Sequence, residues 1–250
     1  MEQQYPTHEQ LHRLAVASGR FRTFVLVLGY CGLRFGEAAA LHVSDVDLKA
    51  RRIRVSRSVT YVRGTGHVDG TTKNRRARTV PVPKFVAPLL ETELAGKGGA
   101  DLLFLSRRGG HLTLGEVRWV FDPAVQTVRE AAAAQRRKEA EETGEAIAPE
   151  FPVITPHELR HTCASLAISA GANAKVLQTL LGHKTATLTL DRYGHLLPDD
   201  LGRIADAFDL AAETAADWAA TQGGPGRQKY TLISTFIVPP LGLEPRLDGF

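Results

Sequence analysis

Apolar positions first recur with a helical period. Thr7 followed by Gln10 has capping-box spacing, and Leu11, Leu14, Ala15 and Ser18 continue one helical face. A strongly apolar second helix is expected over Phe21–Tyr30, broken at Gly32, and a short third over Gly36–Leu41. From Arg52 the period changes to two: Ile53, Val55, Val59 and Tyr61 alternate with Arg and Ser, which reads as one strand with a polar face. Gly64–Gly70 then reads as a loop, and Lys73 onward returns to a strand over Thr79–Val82. The expectation is a basic β-hairpin.

Helices are expected over Lys84–Ala95 and Leu114–Arg129, with a short apolar strand at Leu102–Leu105 between them. Ala131–Pro149, rich in Ala, Glu and Arg without an apolar face, reads as an exposed helical or flexible insertion. Thr155, Pro156 and Glu158 supply an N-cap, a first-turn proline and a capping-box acid for a helix ending at Gly171. Asn173 caps the next, which ends at Gly182, and a short helix leads to Tyr193. Beyond Pro198, Leu201, Ile204, Phe208, Ala211, Ala215 and Trp218 form an apolar stripe. Gly223–Gly226 reads as a linker and Tyr230–Phe250 as an unstructured tail, with a β-prone run at Thr231–Val238. The fold class is mostly α with a small antiparallel β-sheet or hairpin.

Composition narrows the function. With 43% hydrophobic and 23% charged residues in 250, the chain supports a packed core, and no run reaches the ~20 apolar residues of a membrane span. Cys31 and Cys163 form neither a disulfide framework nor a zinc spacing, and the polar start shows no secretory signal. A soluble cytoplasmic protein is expected. The net charge of +4 hides an uneven distribution: Lys49–Lys84 holds 11 Lys or Arg against Asp69 alone, a balance of +10, and the remainder carries −6. That field suits a polyanion; a solvated hairpin without a partner is the alternative.

His157-Glu158-Leu159-Arg160-His161 spells the zinc-hydrolase pattern H-E-x-x-H. It lacks a convincing third ligand before Tyr193, Arg160 opposes a dication, and Glu158 serves the capping box, so a metal site is rejected. Gly64–Gly70 joins strand to strand, so no helix N-terminus awaits a pyrophosphate there. A larger constellation spans the chain: Gly32-Leu33-Arg34-Phe35-Gly36-Glu37, Lys73, Thr155–His161, Leu181-Gly182-His183 and Leu190-Asp191-Arg192-Tyr193. Arginine forks match phosphate oxygens, and a tyrosine becomes a nucleophile only in an electropositive site with a base beside it. The set suits phosphoryl transfer without a metal or other cofactor.

These motifs, in this order, resemble the catalytic domain of the tyrosine recombinase (phage integrase) family over residues 7–220. The resemblance implies that Arg34 and Arg160 clamp the scissile phosphate of double-stranded DNA, and that His157 and His183 hydrogen-bond it. His157 would accept the proton of Tyr193, which attacks to give a 3′-phosphotyrosyl strand, and Lys73 would protonate the leaving 5′ oxygen. Glu37 would orient Arg34, His161 would support the site, and Arg75, Arg76 and Arg78 would bind DNA. It further implies a homotetramer on DNA with exchange of the C-terminal helix, and no membrane partner. Only 33 residues precede Arg34, so residues 1–220 are expected to be the catalytic domain without the N-terminal core-binding domain of relatives, and 221–250 a linker and tail. A topoisomerase IB-like relaxase and a catalytically impaired DNA-binding remnant are the alternatives.

Overall fold

A computed structural model describes residues 5–62, 64–71, 77–146, 148–197 and 208–214. The chain divides into two compact units, Met1–Pro198 and Asp199–Phe250. In the second, residues 208–214 are helical, while Leu201, Ile204, Ala215 and Trp218 of the expected stripe lie outside the described residues.

The first unit is built around α2 (Arg22–Cys31), buried along most of its length. Before it, α1 (His8–Ala17) starts from Thr7, whose Oγ1 accepts from the Gln10 amide at 3.3 Å while Gln10 Oε1 accepts from the Thr7 amide at 3.0 Å. The two helices cross closely: a Cβ at Gly29 would lie 2.7 Å from Leu11 Cδ2. Gly32 ends α2 in the left-handed region, with φ of 66°, and α3 (Phe35–Ala39) follows at once.

Two small antiparallel sheets come next. β1 (Val46–Asp47), β2 (Arg52–Val55) and β5 (Arg78–Pro81) form one in the order β1-β2-β5; β3 (Arg57–Val62) and β4 (Gly66–Thr71) form the other. The single strand expected from Ile53 to Tyr61 is thus two strands in different sheets. Ile53 and Val55 face the core, whereas β3 turns away after Ser56 and leaves Tyr61 exposed. Gly64–Gly70, expected to be a loop, is largely strand: Val62 pairs with Gly66 and Ser58 with Gly70. Glycine's low strand preference hid a ladder that cross-strand hydrogen bonds sustain.

The remaining helices among the described residues of this unit are α4 (Ala87–Leu94), α5 (Leu114–Thr143), α6 (Leu159–Ser169), α7 (Ala174–Leu181) and α8 (Ala186–Tyr193). α5 continues well past Arg129 because its Ala-, Glu- and Arg-rich stretch has high helix propensity and i,i+4 pairs such as Gln135–Glu139, until Gly144 caps it. Leu102–Leu105 is no strand. Leu102 makes an isolated bridge to His42, and the buried Leu103 and Phe104 pack from an irregular segment.

α6 begins later than expected. Residues 156–158 form a turn in which Glu158 Oε2 accepts from the Thr155 amide at 2.6 Å, and the helix proper starts at Leu159. The main core joins α1–α5, the three-stranded sheet and the start of α6. A smaller cluster holds Ala164, Ile168, Leu177, Leu181 and Tyr193.

Candidate active site

The site forms where loop ends of these helices meet. Arg34 stands at the N-cap of α3. Gly36 follows because α3 lies against β3: a Cβ there would come within 2.3 Å of the Val59 carbonyl oxygen. One turn on, the buried Glu37 carboxylate accepts from the Arg34 amide at 2.8 Å and from Arg34 Nη1 at 2.9 Å. The same carboxylate takes a two-pronged pair from Arg78, Nη1 at 2.9 Å and Nη2 at 2.8 Å, and Arg78 Nε donates to the Leu180 carbonyl. Burial pushes the Glu37 carboxyl up, but the Arg78 hydrogen bonds and charge, with those of Arg34, outweigh it and bring it down to about 2.

Arg78, expected to bind DNA, is thus turned inward onto Glu37. Its side chain is only 10% exposed and its guanidinium is committed to Glu37. The sequence carried a signal for this: Arg78 shares its strand face with the buried Val80. Lys73, Arg75 and Arg76 lie outside the described residues.

Arg160 projects from α6 into the gap between two helix ends. It donates through Nη1 to the Gly32 carbonyl at 2.5 Å and through Nη2 to the Leu181 carbonyl. Those carbonyls sit at the C-termini of α2 and α7, where helix dipoles are negative. Burial, then the charge of Arg34, lowers the Arg160 pKa to about 9, so it remains a cation at neutral pH.

Three histidines and the tyrosine complete the set. His157 lies in the turn before α6 and is exposed; its pKa is lowered by partial burial, then by Arg160, Arg192 and Arg34. His183 follows the α7 cap at Gly182, and its Nδ1 lies 2.9 Å from Thr189 Oγ1 on α8. Its ring is parallel to that of Tyr193, with centroids 6.4 Å apart. Burial, followed by Arg160, Arg34 and Arg192, pushes His183 down to about 4.

Tyr193 is 1% exposed at the end of α8. Its hydroxyl lies 2.7 Å from Nδ1 of His161, in the first turn of α6 and four residues after His157. Burial raises the phenol to about 12 despite Arg160 and Arg192. The described geometry thus brings Arg34, Glu37, Arg160, His157, His161, His183 and Tyr193 into one electrostatically coupled group. Sequence reasoning missed Thr189 and the packing of Tyr5 on His161, with ring centroids 6.2 Å apart; nothing in their spacing announces either.

Among the described residues no cluster of His, Cys, Asp or Glu could hold a metal ion, and no helix is long and apolar enough to cross a membrane. A cleft of about 700 Å³ lies apart from this group, lined by residues that include Arg20, Tyr61, His67, Arg107, Arg108 and Trp119.

Comparison with known proteins gives the arrangement its context. Tyrosine recombinase XerC of Pelobacter propionicus is 27% identical over 209 residues, covering 82% of this chain and 55% of the relative. The chain spans about half the length of the curated relatives it matches. Among solved structures, the Tn1549 transposon integrase in complex with circular intermediate DNA is 26% identical, with a TM-score of 0.62 over 83% of this chain and 67% of that one. The catalytic domain of bacteriophage HP1 integrase shares the fold at 23% identity, with a TM-score of 0.52 over 82% of this chain and 95% of that domain. The family profile itself matches residues 5–199, and the chain belongs to the phage integrase family, the tyrosine recombinases.

Proposed function

We propose that this chain breaks and rejoins double-stranded DNA at specific sites, with Tyr193 as the nucleophile. The observation that carries the reading is the placing of a buried tyrosine among arginines already held at fixed positions. Arg34 is steadied by Glu37 and Arg160 by two helix-end carbonyls. Both guanidiniums keep further N–H donors for non-bridging phosphate oxygens, since each has five. Charge growing on the phosphoryl group during attack is met by these cations, a task that magnesium performs in many other phosphoryl transfers.

Tyr193 Oη attacks phosphorus and forms a 3′-phosphotyrosyl bond. The P–O5′ bond breaks, and the departing oxygen takes a proton from the acid of the hairpin, for which Lys73 is the candidate. The reverse attack by a 5′-hydroxyl of another strand rejoins the DNA. His157 and His183 hydrogen-bond the phosphate, and the basic segment Lys49–Lys84, including Arg75 and Arg76, lies along the duplex. The enzyme would act on cytoplasmic DNA as a homotetramer, with the segment beyond Tyr193 docking on a neighbouring copy.

The test is covalent capture on a nicked duplex whose cleaved end diffuses away. Wild type is expected to give a denaturant-resistant protein–DNA adduct. Tyr193→Phe should give none while binding the same duplex within about twofold, because only a hydroxyl is lost. An adduct with Tyr193→Phe would overturn the assignment.

A further inference from the structure

Attack by a phenol requires a group that takes its proton as the bond to phosphorus forms. The motif resemblance implies His157 for that task. The side chain that meets the phenol in the fold is His161: its Nδ1 is 2.7 Å from Tyr193 Oη, whereas the His157 ring stands edge-on to that of His161, with centroids 5.6 Å apart. We propose that His161 is the catalytic proton acceptor for Tyr193, while His157 serves the phosphate alone. This rests on Tyr193 being the nucleophile.

The surroundings support the division. Tyr193 is 1% exposed, so bulk water does not compete for its proton. His161 is half-buried, with Tyr5 stacked on it from the N-terminal segment and Tyr193 against it from α8. A hydrogen bond on one ring nitrogen fixes where the other carries its proton. With the proton on Nε2, the Nδ1 lone pair faces the phenol. His157, in the turn before α6, is the more exposed of the two rings and better placed to meet a ligand arriving from solvent.

Electrostatics make the acceptor respond to substrate. Burial, then Arg192 on α8 and His157 and Arg160 beside it, hold His161 down to about 4, with Glu158 opposing. In the free protein it is therefore neutral and a weak base. A phosphodiester seated between Arg34 and Arg160 adds a negative charge to that field and strengthens the base. The O–H bond of Tyr193 breaks, its proton passes to His161 Nδ1, and the electron pair left on Oη forms the bond to phosphorus. In the rejoining direction Oη departs and recovers the same proton.

Nitrogen-detected NMR of the full chain labelled at histidine reads the first requirement. His161 Nδ1 should be unprotonated, with a shift that moves in Tyr193→Phe; a proton on Nδ1 would overturn the proposal. Adding a nicked duplex to Tyr193→Phe, which cannot react, should raise the His161 pKa by about one unit or more, and an unchanged value would count against it equally.

Single-turnover cleavage supplies the functional arm. His161→Asn keeps a polar group near the Nδ1 position but cannot take the proton. It should slow cleavage about 10²–10⁴-fold, to the same extent on a substrate whose 5′-bridging oxygen is sulfur. A better leaving group replaces a missing acid, not a missing base. His157→Asn should chiefly weaken DNA binding and retain the acidic limb of the pH–rate profile. Cleavage by His161→Asn within about threefold of wild type, or loss of the acidic limb only in His157→Asn, would overturn the assignment. A wild-type chain that forms no adduct would instead refute the nucleophile reading, and the NMR result would still decide this one.

Discussion

Glu37 and Tyr193 are both buried in the same unit, yet they are held by very different amounts of structure. Glu37 accepts four hydrogen bonds from Arg34 and Arg78, on a helix fixed between α2 and β3. Tyr193 has one hydrogen bond from its hydroxyl and shares a small cluster with Ala164, Ile168, Leu177 and Leu181. The arginine side of the site is thus built before any ligand arrives, which suits electrostatic stabilisation, because fixed charges need no reorganisation during reaction. The nucleophile sits on the lighter element, where residue Tyr193 as a whole is 1% exposed. Firm cations and a lightly held nucleophile separate binding competence from reactivity.

The largest expected effect breaks the firm half. Glu37→Ala leaves the 10%-exposed Arg78 side chain without its anion, and removing one partner of a buried ion pair costs about 3–5 kcal/mol. Urea unfolding should show a loss of that size, with Glu37→Gln intermediate. The pH dependence has a definite sign. Glu37 falls from an ordinary 4.5 to about 2 in the folded state, so its contribution is complete above about pH 4.5 and fades as pH drops towards 2. The stability gap between wild type and Glu37→Gln should narrow over that window. A gap that does not change with pH would mean the carboxylate is not the anchor.

The two halves were not equally legible in the sequence. Local chemistry could be read directly: the Thr7–Gln10 capping box, Asn173 as N-cap, and Gly32 and Gly182 as left-handed helix ends are short-range signals that tertiary packing did not override. The motif residues were legible as a set, and the structure gathers those it describes. What stayed hidden depends on partners far along the chain. In the sequence Arg78 is one more cation of a basic run, and the carboxylate that turns it inward lies 41 residues away. β4 was masked by two glycines whose ladder partners lie on β3. That Tyr193 meets His161 depends on which side of α6 receives α8, and periodicity within α6 carries no information about that.

A smaller effect sharpens the comparison through dynamics. Amides in α2 should exchange with solvent only through global unfolding, since nearly every residue there is buried. Those of α8, which exposes Leu188 and Leu190, should exchange about a hundredfold faster or more through local opening. Leu177→Ala removes a fully buried member of the small cluster and should accelerate exchange in α7 and α8 while leaving α2 protected. Equal acceleration in all three helices would show that the two clusters unfold as one, and the contrast between firm and light halves would fail.

The smallest expected effect concerns Thr189, which is 1% exposed and offers Oγ1 to His183 Nδ1 at 2.9 Å. Thr189→Val preserves shape and removes only the hydroxyl, so the ring of His183 loses the partner that fixes its orientation and the state of its outward nitrogen. A lost hydrogen bond of this kind is worth about 1 kcal/mol, or roughly five- to tenfold in rate if it is felt in the transition state. Single-turnover cleavage by Thr189→Val should fall by that factor, and Thr189→Ser, which restores the hydroxyl, should return to near the wild-type rate. Thermal melting separates positioning from packing. Ser deletes a methyl from a buried site and should destabilise the fold at least as much as Val, yet it should be the faster enzyme. If rate instead follows melting temperature across the two variants, Thr189 acts through packing of α8 alone, and the hydrogen bond to His183 has no part in the chemistry.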